Sequence, residues 1–194
     1  NFIVSDYAIN YPFKYLANDN FILSSYMVLP NEETRTLLNN WIYNVYKYNE
    51  TIQTYTLLQK LTTYIFKNFT YKVREEAGVQ TAKQTLSYGS GSCRDFAFLF
   101  MEVVKCLGLA TRFVSGYLYA PLMSDKVGST HAWAEVYLPG GGWIGFDPTT
   151  GNIAGTDHIS VAVSRLPDNV PPIAGSFLGV SDSTISVGVW VTKV

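Results

Sequence analysis

At Gly108 the hydrophobic spacing of this chain changes period, and that change confines the fold to one class. From Asn31 to Leu107 apolar residues recur at steps of three and four, the spacing that gathers them on one stripe of a helix. Beyond Gly108 they recur at every second residue, the spacing of a strand with one buried face. Helices first and strands second predict an α+β domain with an antiparallel sheet.

The helical half contains three segments. Leu37, Leu38, Trp41, Ile42, Val45 and Tyr48 follow Pro30 and a capping Asn31; Ile52, Tyr55, Leu58, Leu61, Tyr64 and Ile65 follow a capping Thr51. Residues 67–92 are polar and glycine-bearing and are expected as loop, with a helical turn near 81–86. A third helix is predicted from Cys93 to Leu107, apolar around much of its circumference and therefore buried, with Gly108 as its stop. Strands are expected at 111–119, 131–138, 143–147 and 159–163, with a final pair near 177–180 and 185–194. Residues 1–30 show no sustained period and are expected as an extended lead-in with one strand at Phe21-Ile22-Leu23, ahead of a domain spanning 31–194. The Pro167–Pro172 stretch is a stiff loop rather than a linker, since too little chain follows it to fold alone.

Composition narrows the function. At 194 residues and 47% hydrophobic the chain can bury a full core, and a net charge of -1 leaves no field to gather nucleic acid or an anionic membrane. No apolar run approaches the ~20 residues that cross a bilayer. The start at Asn1, without a basic and apolar leader, reads as a processed protein or a piece of a longer one. Compartment is not legible beyond a preference for a soluble, cytoplasmic setting, and oligomeric state is not legible at all. Asn49-Glu50-Thr51 and Asn68-Phe69-Thr70 match a glycosylation acceptor pattern too short to carry weight.

Cys93 stands where Gly91-Ser92 gives way to the buried helix, so its thiol lies at a helix N-terminus, where the dipole favours the nucleophilic thiolate. Cys106 lies 13 positions further along the same helix, roughly 20 Å away, too far for a disulfide, and is expected as a buried apolar filler. In 131–138 strand alternation puts His131, Trp133, Glu135 and Tyr137 on one face. Pro139-Gly140-Gly141-Gly142 turns the chain, and Trp143–Asp147 returns as the second strand of a hairpin. With Tyr137 opposite Trp143 across a five-residue loop, His131 and Asp147 become diagonal neighbours on one face, roughly 7–8 Å apart at the backbone. A register slipped by one residue would send them to opposite faces. Pro148 cannot donate to the ladder and should end the strand at Asp147.

A cysteine at a helix start with a histidine and an aspartate on a hairpin is the set a thiol nucleophile requires: attacker, acid/base and orienting carboxylate. The competing reading is a metal site built from Cys93, His131, Asp147 and His158, but no CxxC or HExxH spacing supports it, so neither metal nor another cofactor is expected. Trp133 and Tyr117 are candidates for lining the substrate cleft, with packing as their competing role. Arg94, Asp95 and His158 are expected to be structural, the first two as ion partners.

Gly91-Ser-Cys-Arg-Asp-Phe-Ala, Arg112-Phe-Val-Ser-Gly-Tyr-Leu, His131-Ala-Trp-Ala-Glu-Val-Tyr-Leu-Pro-Gly and Trp143-Ile-Gly-Phe-Asp-Pro-Thr, in this order, resemble the bacterial branch of the transglutaminase-like superfamily. The likeness runs from about Asn31 to Gly179 and includes 157–163; several members of this branch are described as candidate cysteine proteases. The resemblance implies a papain-like α+β core in which Cys93 is the nucleophile, His131 the acid/base and Asp147 its partner. It also implies a β-rich region ahead of the core, of which residues 1–30 would be the tail. The expected function is thiol-dependent acyl transfer that cleaves or exchanges amide bonds of peptides or proteins through a Cys93 thioester. Glutamine-to-lysine cross-linking is the first alternative. Arg94 replaces the Trp that follows the nucleophile in animal cross-linking enzymes, and no acidic cluster suggests their calcium sites. A catalytically silent binding domain is the second.

Overall fold

The computed structural model describes residues 3–48, 50–74, 76–119, 130–176, 178–179, 184 and 187–192. The N-terminal stretch departs from the extended form expected of it. After a 3-10 turn at Asp6–Ala8 come a short strand β1 (Asn10–Tyr11), the helix α1 (Ala17–Leu23) and a second 3-10 turn at Ser24–Tyr26. Phe21-Ile22-Leu23, expected as a strand, closes α1: Leu23 is buried while Phe21 and Ile22 face solvent. A helical turn satisfies its own backbone hydrogen bonds, which a strand without a partner would leave open. The stretch is part of the core rather than an appendage. Tyr11 donates its hydroxyl to the Leu107 carbonyl at 2.9 Å. Tyr15 donates to the Tyr137 carbonyl at 2.8 Å and accepts from the Ala110 N–H at 3.0 Å.

The helix α2 spans Glu32–Ile42, and Asn31 caps it by accepting from the Thr34 N–H at 2.9 Å. It stops short of Val45 and Tyr48 because Asn44 donates its side-chain amide back to the Trp41 carbonyl, a local bond that competes with the helix ladder. Next, β2 (Ile52–Gln53) pairs antiparallel with β1, so α3 (Thr54–Asn68) starts later than a Thr51 cap predicts. Thr54 fixes that boundary by donating its hydroxyl to the Ala8 carbonyl at 2.7 Å. From α3, Leu57, Leu58, Leu61 and Ile65 are fully buried.

The loop expected before Cys93 holds more order than glycines and polar residues suggest. The strand β3 (Thr70–Tyr71) and, after α4 (Ala82–Tyr88), the strand β4 (Ser90–Gly91) pair in parallel. Thr81 caps α4 through a reciprocal arrangement with Gln84, and Gly89, at φ +59°, ends it. The central helix α5 then runs Cys93–Cys106. Phe96, Leu99, Phe100, Met101, Val103 and Val104 are buried on it, each contributing about 1.5–3 kcal/mol. Glu102 and Lys105 are buried as well and satisfy each other as an ion pair at 2.8 Å. Cys106, expected as a buried apolar filler, is half-buried.

The strands β5 (Thr111–Leu118), β6 (Thr130–Leu138), β7 (Gly142–Asp147), β8 (Asn152–Ile153) and β9 (His158–Ser164) form one antiparallel sheet in the order β8–β7–β6–β5–β9. Ala132, Ala134, Val136 and Leu138 of β6 are buried, and α5 packs against that strand. The chain leaves α5 through Gly108 and enters β5 opposite the end of β6, so Cys93 lies at the end of the sheet where β6 begins. The expected strands at 177–180 and 185–194 fall largely outside the described residues. Among the described residues no helix is long and apolar enough to cross a membrane.

Candidate active site

The approach to Cys93 is fixed by Asp95, which is fully buried. Its Oδ2 accepts from the Ser92 N–H at 2.7 Å and the Ser92 hydroxyl at 2.9 Å. Its Oδ1 accepts from Arg74 Nη1 and from the Gln80 N–H, both at 2.7 Å. One carboxylate thus ties the loop after β3 to the first turn of α5. Gly91 leaves room for it, since a Cβ there would sit 2.8 Å from that of Asp95. Asp95 is therefore the structural ion partner expected, with Arg74. Arg94 instead donates to the carbonyls of Pro167 (2.9 Å) and Val170 (3.2 Å) and lies over the Phe113 ring.

Cys93 is 7% exposed, at the start of α5, where the first N–H groups have no acceptor within the helix. Its sulfur lies close enough to His131 to help raise the imidazole. The hairpin register pairs Tyr137 with Trp143, as expected. The loop is tighter than five residues, because Leu138 also pairs with Gly142 across Pro139–Gly141. The register is unchanged by this. His131 and Asp147 fall diagonally on one face, and His131 Nε2 stands 2.8 Å from Asp147 Oδ2. With Nε2 on the carboxylate, Nδ1 is the nitrogen free to serve Cys93.

Asp147 is fully buried at the end of β7, which stops before Pro148. Its Oδ1 accepts from the Thr149 N–H at 2.9 Å; its Oδ2 accepts from the Thr150 hydroxyl at 2.9 Å, from His131 and, at 3.1 Å, from His158 Nε2. Burial pushes this carboxyl up, but the bonds from His131 and His158, the charge of His131 and the Thr149 amide together hold it well below the usual carboxylate range. Burial likewise pulls His131 down, and the bonds to Asp147 and Cys93 outweigh it, pushing the imidazole up to about 9. The ring is therefore charged at neutral pH.

Trp133 is 2% exposed, so it presents no open surface to a substrate. It stacks near the His131 ring, with centroids 6.2 Å apart, and meets the His158 ring edge-on at 5.1 Å. Gly116 and Gly145 make space for the indole, as a Cβ would lie 3.0 Å and 3.2 Å from its atoms. Tyr117 is half-buried and pairs with Thr130 and Ile159; strand alternation puts it on the other face of the sheet from His131. One neighbour went unrecognised in the sequence, and one was given another role. Tyr71 of β3 has its phenol raised by partial burial and, to a lesser degree, by the nearby Cys93. His158, expected as structural, joins the His131–Asp147 pair directly.

His131, Asp147 and His158 place their ligand-type atoms within 4.8 Å of one another, so part of the metal set considered from sequence does converge. The chemistry of the donors does not fit a cation. The Gly155 N–H donates to His158 Nδ1 at 3.2 Å, which leaves the proton of the neutral ring on Nε2, the atom that would have to bind the metal.

A buried helix led by a thiol, packed on an antiparallel sheet that carries a His–Asp pair, defines a papain-like α+β class. The chain belongs to the transglutaminase-like superfamily, whose core model matches residues 46–148. It is 36% identical over 109 residues to an uncharacterized protein of Mycobacterium leprae, covering 54% of this chain and 38% of that protein. It is 31% identical over 138 residues to an uncharacterized protein of Mycobacterium bovis, covering 66% and 44%. The chain thus spans less than half the length of these curated relatives. Among solved structures it resembles a candidate cysteine protease from Cytophaga hutchinsonii, with a TM-score of 0.61 and 24% identity over 80% of this chain and 50% of that one. It also resembles the periplasmic domain of TgpA from Pseudomonas aeruginosa, with a TM-score of 0.51 and 23% identity over 69% and 48%. At these identities the structural likeness speaks for the fold alone.

Proposed function

We propose that this domain is a thiol-dependent acyl-transfer enzyme acting on amide bonds of peptides or proteins, with Cys93 as nucleophile, His131 as acid/base and Asp147 as the group that orients and charges the imidazole. The observation that carries this reading is that His131 is shared between a thiol at a helix start and a buried, ionised carboxylate 2.8 Å from its Nε2.

In the forward half-reaction the Cys93 sulfur attacks the amide carbonyl carbon, and the carbonyl electron pair moves onto oxygen. The backbone N–H of Cys93 donates to that oxyanion. Collapse expels the amine, which takes the proton from His131 Nδ1, and a thioester remains. His131, now neutral, removes a proton from the acceptor as it attacks the thioester; the tetrahedral adduct collapses, the Cys93 sulfur leaves as thiolate, and the thiolate–imidazolium pair is restored. With water the net result is hydrolysis; with a primary amine it is amide exchange.

Hydrolysis of peptides is the first activity to examine, since a solved structure of this fold is described as a candidate cysteine protease. The test is turnover of amide and peptide libraries with water and primary amines as rival acceptors, run on the wild type and Cys93→Ala. The reading expects turnover that Cys93→Ala abolishes. Equal rates for the two proteins across amide, ester and amine-transfer substrates would overturn it.

A further inference from the structure

We propose that His158 is a positioning residue for the Cys93–His131 pair, donating from Nε2 to the same Asp147 oxygen that holds His131. The inference rests on the reading of Cys93, His131 and Asp147 given above and adds a fourth member to it.

The geometry fixes both the orientation and the tautomer of His158. Its backbone N–H donates to the Gly155 carbonyl at 3.0 Å, and the Gly155 N–H donates to its Nδ1 at 3.2 Å, so the turn ahead of β9 closes on the ring itself. An Nδ1 that accepts carries no proton, so the neutral ring must carry its proton on Nε2. That nitrogen lies 3.1 Å from Asp147 Oδ2, and the side chain is 8% exposed. A carboxylate oxygen can only accept, and here it gathers His131 Nε2, the Thr150 hydroxyl and His158 Nε2.

Packing adds a second constraint. The His158 ring lies edge-on to Trp133 at 5.1 Å and tilted to His131 at 5.9 Å, while Trp133 stacks near His131 from its own strand. The imidazole that serves Cys93 is therefore held by a carboxylate on Nε2 and confined by two rings. His158 holds the carboxylate in place from the far side and does not touch the reacting atoms. Among the described residues, the ionisable groups it touches are His131 and Asp147. Positioning matters because His131 must present Nδ1 to sulfur, and a displacement of about 1 Å in such a group costs about a hundredfold in rate.

Two substitutions separate the hydrogen bond from the packing. His158→Phe keeps a ring against Trp133 without a donor, and His158→Gln keeps an N–H donor without the ring. The readout is the rate of Cys93 alkylation by a neutral haloacetamide across pH 5 to 9, which needs no substrate, alongside thermal unfolding of each variant. His158→Phe should slow alkylation at pH 7 by about tenfold and change the shape of the pH profile, while His158→Gln recovers most of the loss, to within about threefold of wild type. Wild-type reactivity in both variants, or losses in both that merely track their melting temperatures, would overturn the proposal. Wild-type Cys93 labelling no faster than Cys106 would instead overturn the underlying reading, and His158 with it. In the wild type at pH 8, the ring 15N pattern of His158 should be that of the Nε2–H tautomer; the Nδ1–H tautomer would refute the assignment.

Discussion

Asp147 Oδ2 and His131 Nε2 lie 2.8 Å apart because the hairpin register puts Tyr137 opposite Trp143. Shifting that register by one residue would turn the two side chains to opposite faces of the sheet. The pair makes the site responsive to pH. His131 is pushed up to about 9 from its ordinary 6.5, so the folded protein holds a proton that the unfolded chain releases. The stabilisation is complete below pH 6.5 and is lost as pH rises through about 9. The melting-temperature advantage of wild type over His131→Gln should therefore shrink from pH 6.5 to pH 9. A constant difference over that range would contradict the charge assigned to the ring. Asp147 works in the opposite sense: held low, it stabilises above the usual carboxylate range and loses that contribution only as pH falls through its depressed value.

Asp95 should matter to stability more than any other carboxylate near the nucleophile. It is fully buried and accepts from Ser92, Arg74 and Gln80. Asp95→Ala leaves those donors unpaired and should cost about 3 kcal/mol or more in urea unfolding. A loss under about 1 kcal/mol, the size of one ordinary hydrogen bond, would show that the loop after β3 is held by other means.

Much of this architecture can be read from the chain because its signals are local. The three- and four-residue spacing around Phe96, Leu99, Phe100 and Val103, bounded by Gly108, describes α5, and alternation with Pro139–Gly142 and Pro148 describes the hairpin. What the sequence hides is tertiary. Tyr11 and Tyr15 sit in a stretch without period because they act by reaching Leu107, Tyr137 and Ala110, far along the chain. Ile52 reads as helical until β1 captures it as a strand. His158 opens β9 on the far side of β5 from the hairpin, so no spacing rule links it to Asp147. Trp133 shares the predicted face with His131, but alternation alone does not say that the face is covered.

Cys106 should be dispensable for chemistry. It is half-buried at the end of α5, and burial, with Glu102 adding to it, pushes its thiol up to about 11. Cys106→Ala should leave acyl transfer intact and cost on the order of 1 kcal/mol through a small cavity. Loss of activity in a variant that still folds would show that the far end of α5 participates in the site.

The roles within the candidate site predict an order of damage. Cys93→Ala and His131→Ala should each remove most turnover, whereas Asp147→Asn should leave more, because orienting the imidazole is separable from supplying the nucleophile. Steady-state kinetics on one amide substrate would check it. Asp147→Asn falling below Cys93→Ala would contradict the division of labour.

Competition between the two thiols of one molecule tests the nucleophile most directly. Wild-type protein is treated at pH 7 with a limiting neutral haloacetamide, and labelling at Cys93 and Cys106 is compared by peptide mass spectrometry. Cys93 should label at least about tenfold faster, and His131→Ala should cut that preference several-fold while leaving Cys106 unchanged. Equal labelling of the two cysteines in the wild type, or a preference for Cys93 undiminished in His131→Ala, would contradict a thiol activated by His131.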